Sequence, residues 1–105
     1  MGASVDHKTQ TMYVNSNEIS WIAKLNKSNN RTISGFKRLK DDDGYPGNKP
    51  PWGKITAFDL NSGSVNWSIP FGTKSVSNKH KIDGDINFGG VLSTNGNVMI
   101  ATGTS

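Results

Sequence analysis

"WGKITAFDLNSGSVNW", residues 52–67, decides the fold. Apolar and polar residues alternate on both sides of Asn61-Ser62-Gly63. Ile55, Ala57 and Asp59 fall on one face of the first arm, and Val65, Trp67 and Ile69 share a face of the return arm. Two β-rich arms around a short turn predict a hairpin over Lys54–Leu60 and Ser64–Pro70. Asp59 and Ser62 can hold the turn by side-chain-to-backbone hydrogen bonds, and Gly63 permits positive φ. Trp67 adds a large flat surface with one N–H donor. A sheet that must bury both faces against neighbouring sheets needs such a repeated locking device.

Two further hairpins are expected: Ala3–Asp6 with Thr11–Asn15 across His7–Gln10, and Val91–Thr94 with Val98–Thr102 across Asn95-Gly96-Asn97. Asn-Gly tolerates positive φ and is a strong turn signal. "ISWIAKL", residues 19–25, reads as another strand, with a single helical turn as the weaker alternative. No segment sustains a 3.6-residue apolar period, so almost no helix is expected. Residues 26–51 ("NKSNN", "DDDG", "KPP") and 73–86 read as long loops, of the kind that pack against something larger. Residues 2–15 overlay residues 89–102 without a gap, with Gly2 on Gly89 and Met12 on Met99. The same hairpin thus recurs 87 residues on, more than the ~40–50 residues of a propeller blade by about the length of the two loops.

The totals set limits. One small domain is the most that 105 residues support, and a hydrophobic content of 32% is low for a self-contained core. The net charge of +4 comes from scattered Lys and Arg, which predicts a solvated surface and no nucleic-acid partner. There is no cysteine, hence no disulfide and no thiolate zinc site. No run approaches the ~20 apolar residues of a membrane helix. The chain opens directly on strand-like sequence, without an apolar signal core, which suggests a piece of a longer chain.

The spacing of Ala57, Asp59, Ser62, Gly63 and Trp67 resembles the tryptophan-docking motif of the quinoprotein dehydrogenases, eight-bladed propellers that bind pyrroloquinoline quinone (PQQ). Ser62 stands for the usual Thr and Ser64 for the usual Lys. "GYPGNKPPWGKITAFDLNSGSVNW" (44–67), "INFGGVLSTNGNVMIATGT" (86–104) and "GASVDHKTQTMYVNSNEISW" (2–21) resemble successive segments of the membrane-bound glucose-dehydrogenase-like branch. Val91 and Asn95 depart from its common Pro and Ala. The resemblance implies an all-β chain: a C-terminal fragment of the propeller, about one and a half blades of antiparallel four-stranded sheet. Residues 1–25 would supply strands of one blade, 26–51 an insertion loop and 52–72 the tryptophan-docking hairpin completing that blade. Residues 73–86 would form a loop, and 87–105 the first hairpin of the next blade.

The resemblance also implies a chemistry. The parent would oxidise a sugar or alcohol hydroxyl with PQQ and calcium and pass electrons to a quinone or cytochrome. It would do so in the periplasm or at the periplasmic face of the inner membrane. The calcium ligands and the catalytic Asp of the family have no match here, so no catalytic or metal residue is assigned and the fragment alone is expected to be inactive. Asn87 is the expected hydrogen-bonding residue for PQQ, Phe88 the ring contact, and Gly89 and Gly90 the glycines that allow backbone approach. Asn87 as a turn cap and the glycines as a strand start are the plainer alternative. A non-catalytic PQQ-like propeller scaffold is the alternative function, and unpaired strand edges would favour a homo-oligomer.

Several residues invite sharper roles. Trp52 is read as packing the start of its strand rather than lining a substrate funnel. Asp41-Asp42-Asp43-Gly44 has oxygen ligands for calcium but no closing Glu, and is read as a solvated acidic turn. Asp59 is assigned to the turn rather than to general-base chemistry. His7 and His80 have no neighbouring acid and receive no role. Asn30 and Asn66 fit the short N-glycosylation pattern.

Overall fold

The computed structural model describes residues 2–25, 33–77 and 80–103, which form strands and turns with no helix among them. The chain divides into two units, Met1–Glu18 with Pro50–Ser105, and Ile19–Lys49.

The first unit is built on a four-stranded antiparallel sheet in the order β1 (Ala3–Asp6), β2 (Thr11–Asn17), β5 (Gly53–Asp59), β6 (Val65–Pro70). Hairpin turns join β1 to β2 and β5 to β6, so each pairing forms locally. The central pairing of β2 with β5 joins strands far apart in sequence, with Tyr13 opposite Ala57 and Asn15 opposite Ile55. Its far edge continues the pattern, with Ala57 opposite Trp67 and Ile55 opposite Ile69. Period-two alternation therefore puts Tyr13, Ala57 and Trp67 in one row on one face. The rings of Tyr13 and Trp67 meet over the small central side chain, centroids 5.9 Å apart, and Ala57 is wholly buried. Trp67 itself keeps 38% of its surface exposed, on an edge strand whose residues are all exposed. Ile55 and Trp52 complete the buried apolar set among the described residues.

Two more hairpins extend the chain. β7 (Thr73–Ser77) pairs with β8 (His80–Asp83), and β9 (Val91–Ser93) with β10 (Met99–Ala101). β9 lies against β1 and β2. The Ser4 and Ser93 hydroxyls are 2.7 Å apart, and the Ser93 N–H donates to the Ser4 hydroxyl at 2.9 Å. The second unit holds β3 (Trp21–Leu25) paired with β4 (Ile33–Arg38), and a turn over Asp41–Tyr45.

The segments expected to be loops carry strands. β4 lies inside 26–51 and the β7–β8 hairpin inside 73–86. β4 escapes a periodicity reading because Gly35 takes φ 73° within a pairing whose register shifts. The β7–β8 arms are polar, and Gly72 and Gly84 at their base both have positive φ. Strand 19–25, expected in the blade, instead pairs with β4 outside the four-stranded sheet. The gapless overlay of residues 2–15 on 89–102 also slips in space. Val5 faces Met12, whereas Met99 faces Ser93 rather than Leu92. The turns account for the slip. Gln10 and Asn97, equivalent in the overlay, both adopt positive φ just before the return strand. Asp6 pairs with Thr11 in the first turn, whereas the Thr94 N–H donates to the Val98 carbonyl in the second, so the second loop is one residue shorter.

Two carboxylates hold turns at the same end of the sheet. The Asn61 N–H donates to Asp59 Oδ1 at 2.8 Å and the Ser62 hydroxyl to Oδ2 at 3.1 Å, while Gly63, at φ 73°, donates its N–H to the Asp59 carbonyl. The Asn61 N–H and then the Ser62 hydroxyl hold the Asp59 carboxyl below its ordinary range. The Thr9 side chain and then the Lys8 N–H do the same for Asp6. A carboxylate whose pKa is lowered on folding stabilises the fold above its unfolded value, near 3.9, and loses that contribution as pH falls through the folded value. The thermal midpoint should therefore be flat from about pH 5 to 7 and fall below about pH 4. In Asp59→Asn the midpoint at neutral pH should drop and the acid slope should be shallower. Parallel slopes for wild type and variant, followed by circular dichroism, would contradict this role for Asp59.

Candidate functional site

The loop from Gly84 to Gly90 crosses the first unit at the end of the sheet opposite the Asp6 and Asp59 turns. Its approach is fixed by backbone. The Trp52 and Gly53 N–H groups both donate to the Gly84 carbonyl, at 2.7 and 3.0 Å, and the Gly84 N–H donates to the Gly72 carbonyl at 2.7 Å. Trp52 is buried here, its carbonyl accepting the Glu18 N–H at 2.7 Å, which makes it a packing residue.

Asn15 and Asn17, two positions apart on β2, share the face over which this loop runs. The Asn17 amide mimics a strand neighbour: its Oδ1 accepts the Asn87 N–H at 2.9 Å and its Nδ2 donates to the Asn87 carbonyl at 2.9 Å. Asn15 Nδ2 donates to the Gly89 carbonyl at 2.7 Å and to Asn87 Oδ1 at 3.2 Å. Asn87 Oδ1 also accepts the Gly89 N–H at 2.8 Å, closing a turn from its own side chain. Asn15 and Asn87 are 2% and 4% exposed, so their part of the network is closed to water, while Asn17 is half-buried. Asn15 Oδ1 is the one buried side-chain polar atom without a partner among the described residues.

The expected cofactor residues differ sharply in their surroundings. Asn87 is buried, with its side-chain oxygen committed to the loop. Phe88 is half exposed. Gly89 is buried, and a Cβ there would run into the Thr102 carbonyl. Gly90 is exposed, and a Cβ there would meet nothing within 4 Å. The loop therefore presents one aromatic side chain and one open stretch of backbone on a base that Asn15, Asn17 and Asn87 make rigid. Asn87 Oδ1 already accepts two hydrogen bonds, whereas Phe88 and Gly90 are exposed. Sequence reasoning missed Asn15 and Asn17. Their signal was present as two Asn at strand spacing in "YVNSN", since Asn is disfavoured in strands unless its side chain is used.

The remaining candidates resolve into turns. Asp41 Oδ1 accepts the Tyr45 N–H at 2.8 Å and the Asp43 N–H at 3.1 Å, and Gly44 adopts φ 85°. The acidic run is thereby a self-capped, exposed turn. His7 supplies its carbonyl to Gln10 Nε2 at 2.7 Å. Asn66 is exposed on β6, Asn30 lies outside the described residues, and so does the side chain of His80.

A family model described as the β-propeller domain of PQQ-type glucose/ethanol/alcohol dehydrogenases matches residues 27–105. A probable quinate dehydrogenase (quinone) of Xanthomonas campestris pv. juglandis is 34% identical over 68 residues, which is 58% of this chain and 9% of that protein. No solved structure matches the chain significantly.

Proposed function

The chain belongs to the PQQ-type glucose/ethanol/alcohol dehydrogenase β-propeller family, and on that premise we propose that it is a segment of a PQQ-dependent dehydrogenase oxidising a small hydroxylated substrate, a sugar or an alcohol, with electrons passing to a quinone or cytochrome. The name of the Xanthomonas relative, with quinate as its substrate and a quinone as acceptor, supports that class. Bound PQQ supplies the two-electron acceptor, and the protein supplies position and electrostatics.

The observation that carries the reading is the loop at 87–90. Asn15, Asn17 and Asn87 lock its backbone, and Phe88 is left at the surface beside open space at Gly90. In this proposal Phe88 lies against the plane of the quinone, Gly90 gives it room, and Asn87 holds the loop rather than the cofactor. Calcium belongs to the same proposal, and the resemblance assigns its ligands to other parts of the parent. Trp67 and Ile69, exposed on one face of β6, are assigned to the next sheet of the wheel, with Trp67 as the docking residue. A periplasmic setting is part of the same proposal.

The test is reconstitution of the full gene product with PQQ and calcium, followed by dye reduction and by PQQ titration. Phe88→Ala should weaken PQQ binding about tenfold without moving the thermal midpoint, and the 105-residue chain alone should give no turnover. Failure of the full product to bind PQQ would favour the scaffold alternative. Unchanged affinity in Phe88→Ala would remove the residue from the site.

A further inference from the structure

Asn95 is the one asparagine of the sequence that is followed by glycine. The pair forms the tip of the β9–β10 hairpin, and both residues are exposed. Among the described residues neither the Asn95 side chain nor the Gly96 N–H has a hydrogen-bond partner. Beyond its chain neighbours, a Cβ on Gly96 would meet only Thr94 Oγ1, at 3.9 Å, so the space around this backbone is open. An amide side chain thus stands beside an unhindered, uncommitted backbone nitrogen.

Comparable pairs elsewhere are closed to the same chemistry. Asp43 and Asp83 also precede glycines, but the Gly44 N–H donates to the Asp41 carbonyl at 3.1 Å and the Gly84 N–H to the Gly72 carbonyl at 2.7 Å. Gly84 is buried as well. After Asn17, the Glu18 N–H donates to the Trp52 carbonyl at 2.7 Å. After Asn61, the Ser62 N–H is held by the Asp59 carboxylate. Asn87 is buried. The residue that follows each asparagine other than Asn95 carries a Cβ, which hinders approach to its nitrogen.

We propose that Asn95 is a site of self-modification, where the chain loses ammonia and the asparagine becomes aspartate or isoaspartate. The Gly96 nitrogen attacks Asn95 Cγ. The N–Cγ bond forms, the Cγ–Nδ2 bond breaks, and the Gly96 proton leaves with Nδ2 as ammonia. Water then opens the cyclic imide at either carbonyl and restores the Gly96 N–H; nothing is oxidised or reduced. Opening one way leaves an ordinary aspartate. Opening the other way routes the backbone through the side chain and adds a methylene to the loop. That loop is closed by the Thr94 N–H and the Thr94 hydroxyl, both donating to the Val98 carbonyl, at 2.9 and 2.8 Å. A longer loop releases these bonds and with them the short strands that they align. The Thr102 N–H, which donates to the Gly90 carbonyl from the end of the same hairpin, then loses its anchor. Either product also places a carboxylate at a cleft of about 210 Å³ that Asn95 lines with Asp6, His7 and Lys8. Asp6 is committed to its own turn, which leaves His7 and Lys8 beside the new charge. The reaction needs no cofactor and is independent of the quinone reading.

The experiment is incubation of the 105-residue chain at neutral pH in heavy-oxygen water, followed by proteolytic digestion and mass spectrometry. Asn95 should convert roughly tenfold faster than any other asparagine, with the label in the new carboxylate, because glycine alone leaves the nitrogen unhindered. Gly96→Ala, whose Cβ the open loop accommodates, should slow the conversion by about the same factor. The chain unfolded in urea should convert Asn95 at a rate similar to the folded chain. Conversion spread evenly over the asparagines, an unchanged rate in Gly96→Ala, or a markedly slower rate in the folded chain than in urea would overturn the proposal. The isoaspartate product, separated by chromatography, should melt below the Asn95→Asp variant, which carries the same charge in a loop of unchanged length. Equal midpoints would overturn the release of the hairpin.

Discussion

Gly89→Ala is expected to lower the thermal midpoint of the chain by about 10–20 °C, and Gly90→Ala to leave it almost unmoved. The two glycines are neighbours, and neither has positive φ, so conformational strain does not separate them. Space does. A Cβ on Gly89 would run into the Thr102 carbonyl, which is backbone and cannot rotate away, whereas one on Gly90 meets nothing within 4 Å. Nor can Gly89 retreat. Its N–H is held by Asn87 Oδ1 and its carbonyl by Asn15 Nδ2. On the other side, the Thr102 N–H donates to the Gly90 carbonyl, tying the end of the second hairpin to the loop. Overpacking against fixed groups costs about 1–3 kcal/mol, and a chain of this size shifts about 4–8 °C for each. Equal midpoints for the two variants would show that the second hairpin does not dock on the loop in solution. If the loop also carries the proposed cofactor contact, Gly90→Ala should weaken PQQ binding in the full gene product while sparing stability.

The contrast between these glycines was not legible in the sequence, where they read as an equivalent pair, and the reason is general to this fold. What the sequence revealed was local. The Asp59-to-Ser64 turn, the Asn95–Asn97 turn and the alternation of Ile55 and Ala57 all lie within a few residues of their partners, so side-chain chemistry and period were enough; the expected shared face of Val65 and Trp67 failed, because a register shift places Val65 opposite Phe58 and Trp67 opposite Ala57. The β2–β5 pairing was different, because the whole second unit intervenes. The row of Tyr13, Ala57 and Trp67 depends on that register, and Tyr13 carried no mark that it would cover Ala57. The Asn15–Asn87 contact spans 72 positions and was equally invisible, although Asn15 and Asn17 were conspicuous as polar residues in a strand. Asn87 was found as a residue with two uses left open, and its side-chain oxygen holds the turn. A short polar side chain ahead of two glycines suits a ligand or a turn equally well, and only the burial of its oxygen distinguishes them. The polar β7–β8 arms failed for the opposite reason, since a hairpin with little apolar pattern leaves no period to read.

Asn15→Asp is the second large effect, and its pH dependence identifies its cause. Asn15 uses its amide hydrogens on oxygens, those of Asn87 and Gly89, inside a site almost closed to water. Asparagine to alanine removes these donors and leaves the Gly89 carbonyl short of a partner, at about 1–3 kcal/mol. It also removes the unpartnered Asn15 Oδ1, which offsets part of that cost. Aspartate keeps the shape and reverses the polarity, setting an anion against two acceptors. An unpaired buried charge costs about 3–5 kcal/mol, so at neutral pH Asn15→Asp should be clearly less stable than Asn15→Ala. Burial and the facing oxygens raise the folded pKa of the introduced acid. A group with a raised acid pKa carries no penalty below its unfolded value, near 3.9; the penalty grows as pH climbs from there to the folded value, and beyond it the charge is buried in full. Acidification should therefore bring the two variants together, because the protonated acid regains an O–H to donate to the Gly89 carbonyl. Asp6 and Asp59 lose stability in the same acid range, but they do so in both variants, so the difference between the two midpoints isolates position 15. A gap that stays constant from about pH 3.5 to 7.5 would mean that Asn15 sits in water, and the dry network that fixes the 87–90 loop would have to be abandoned.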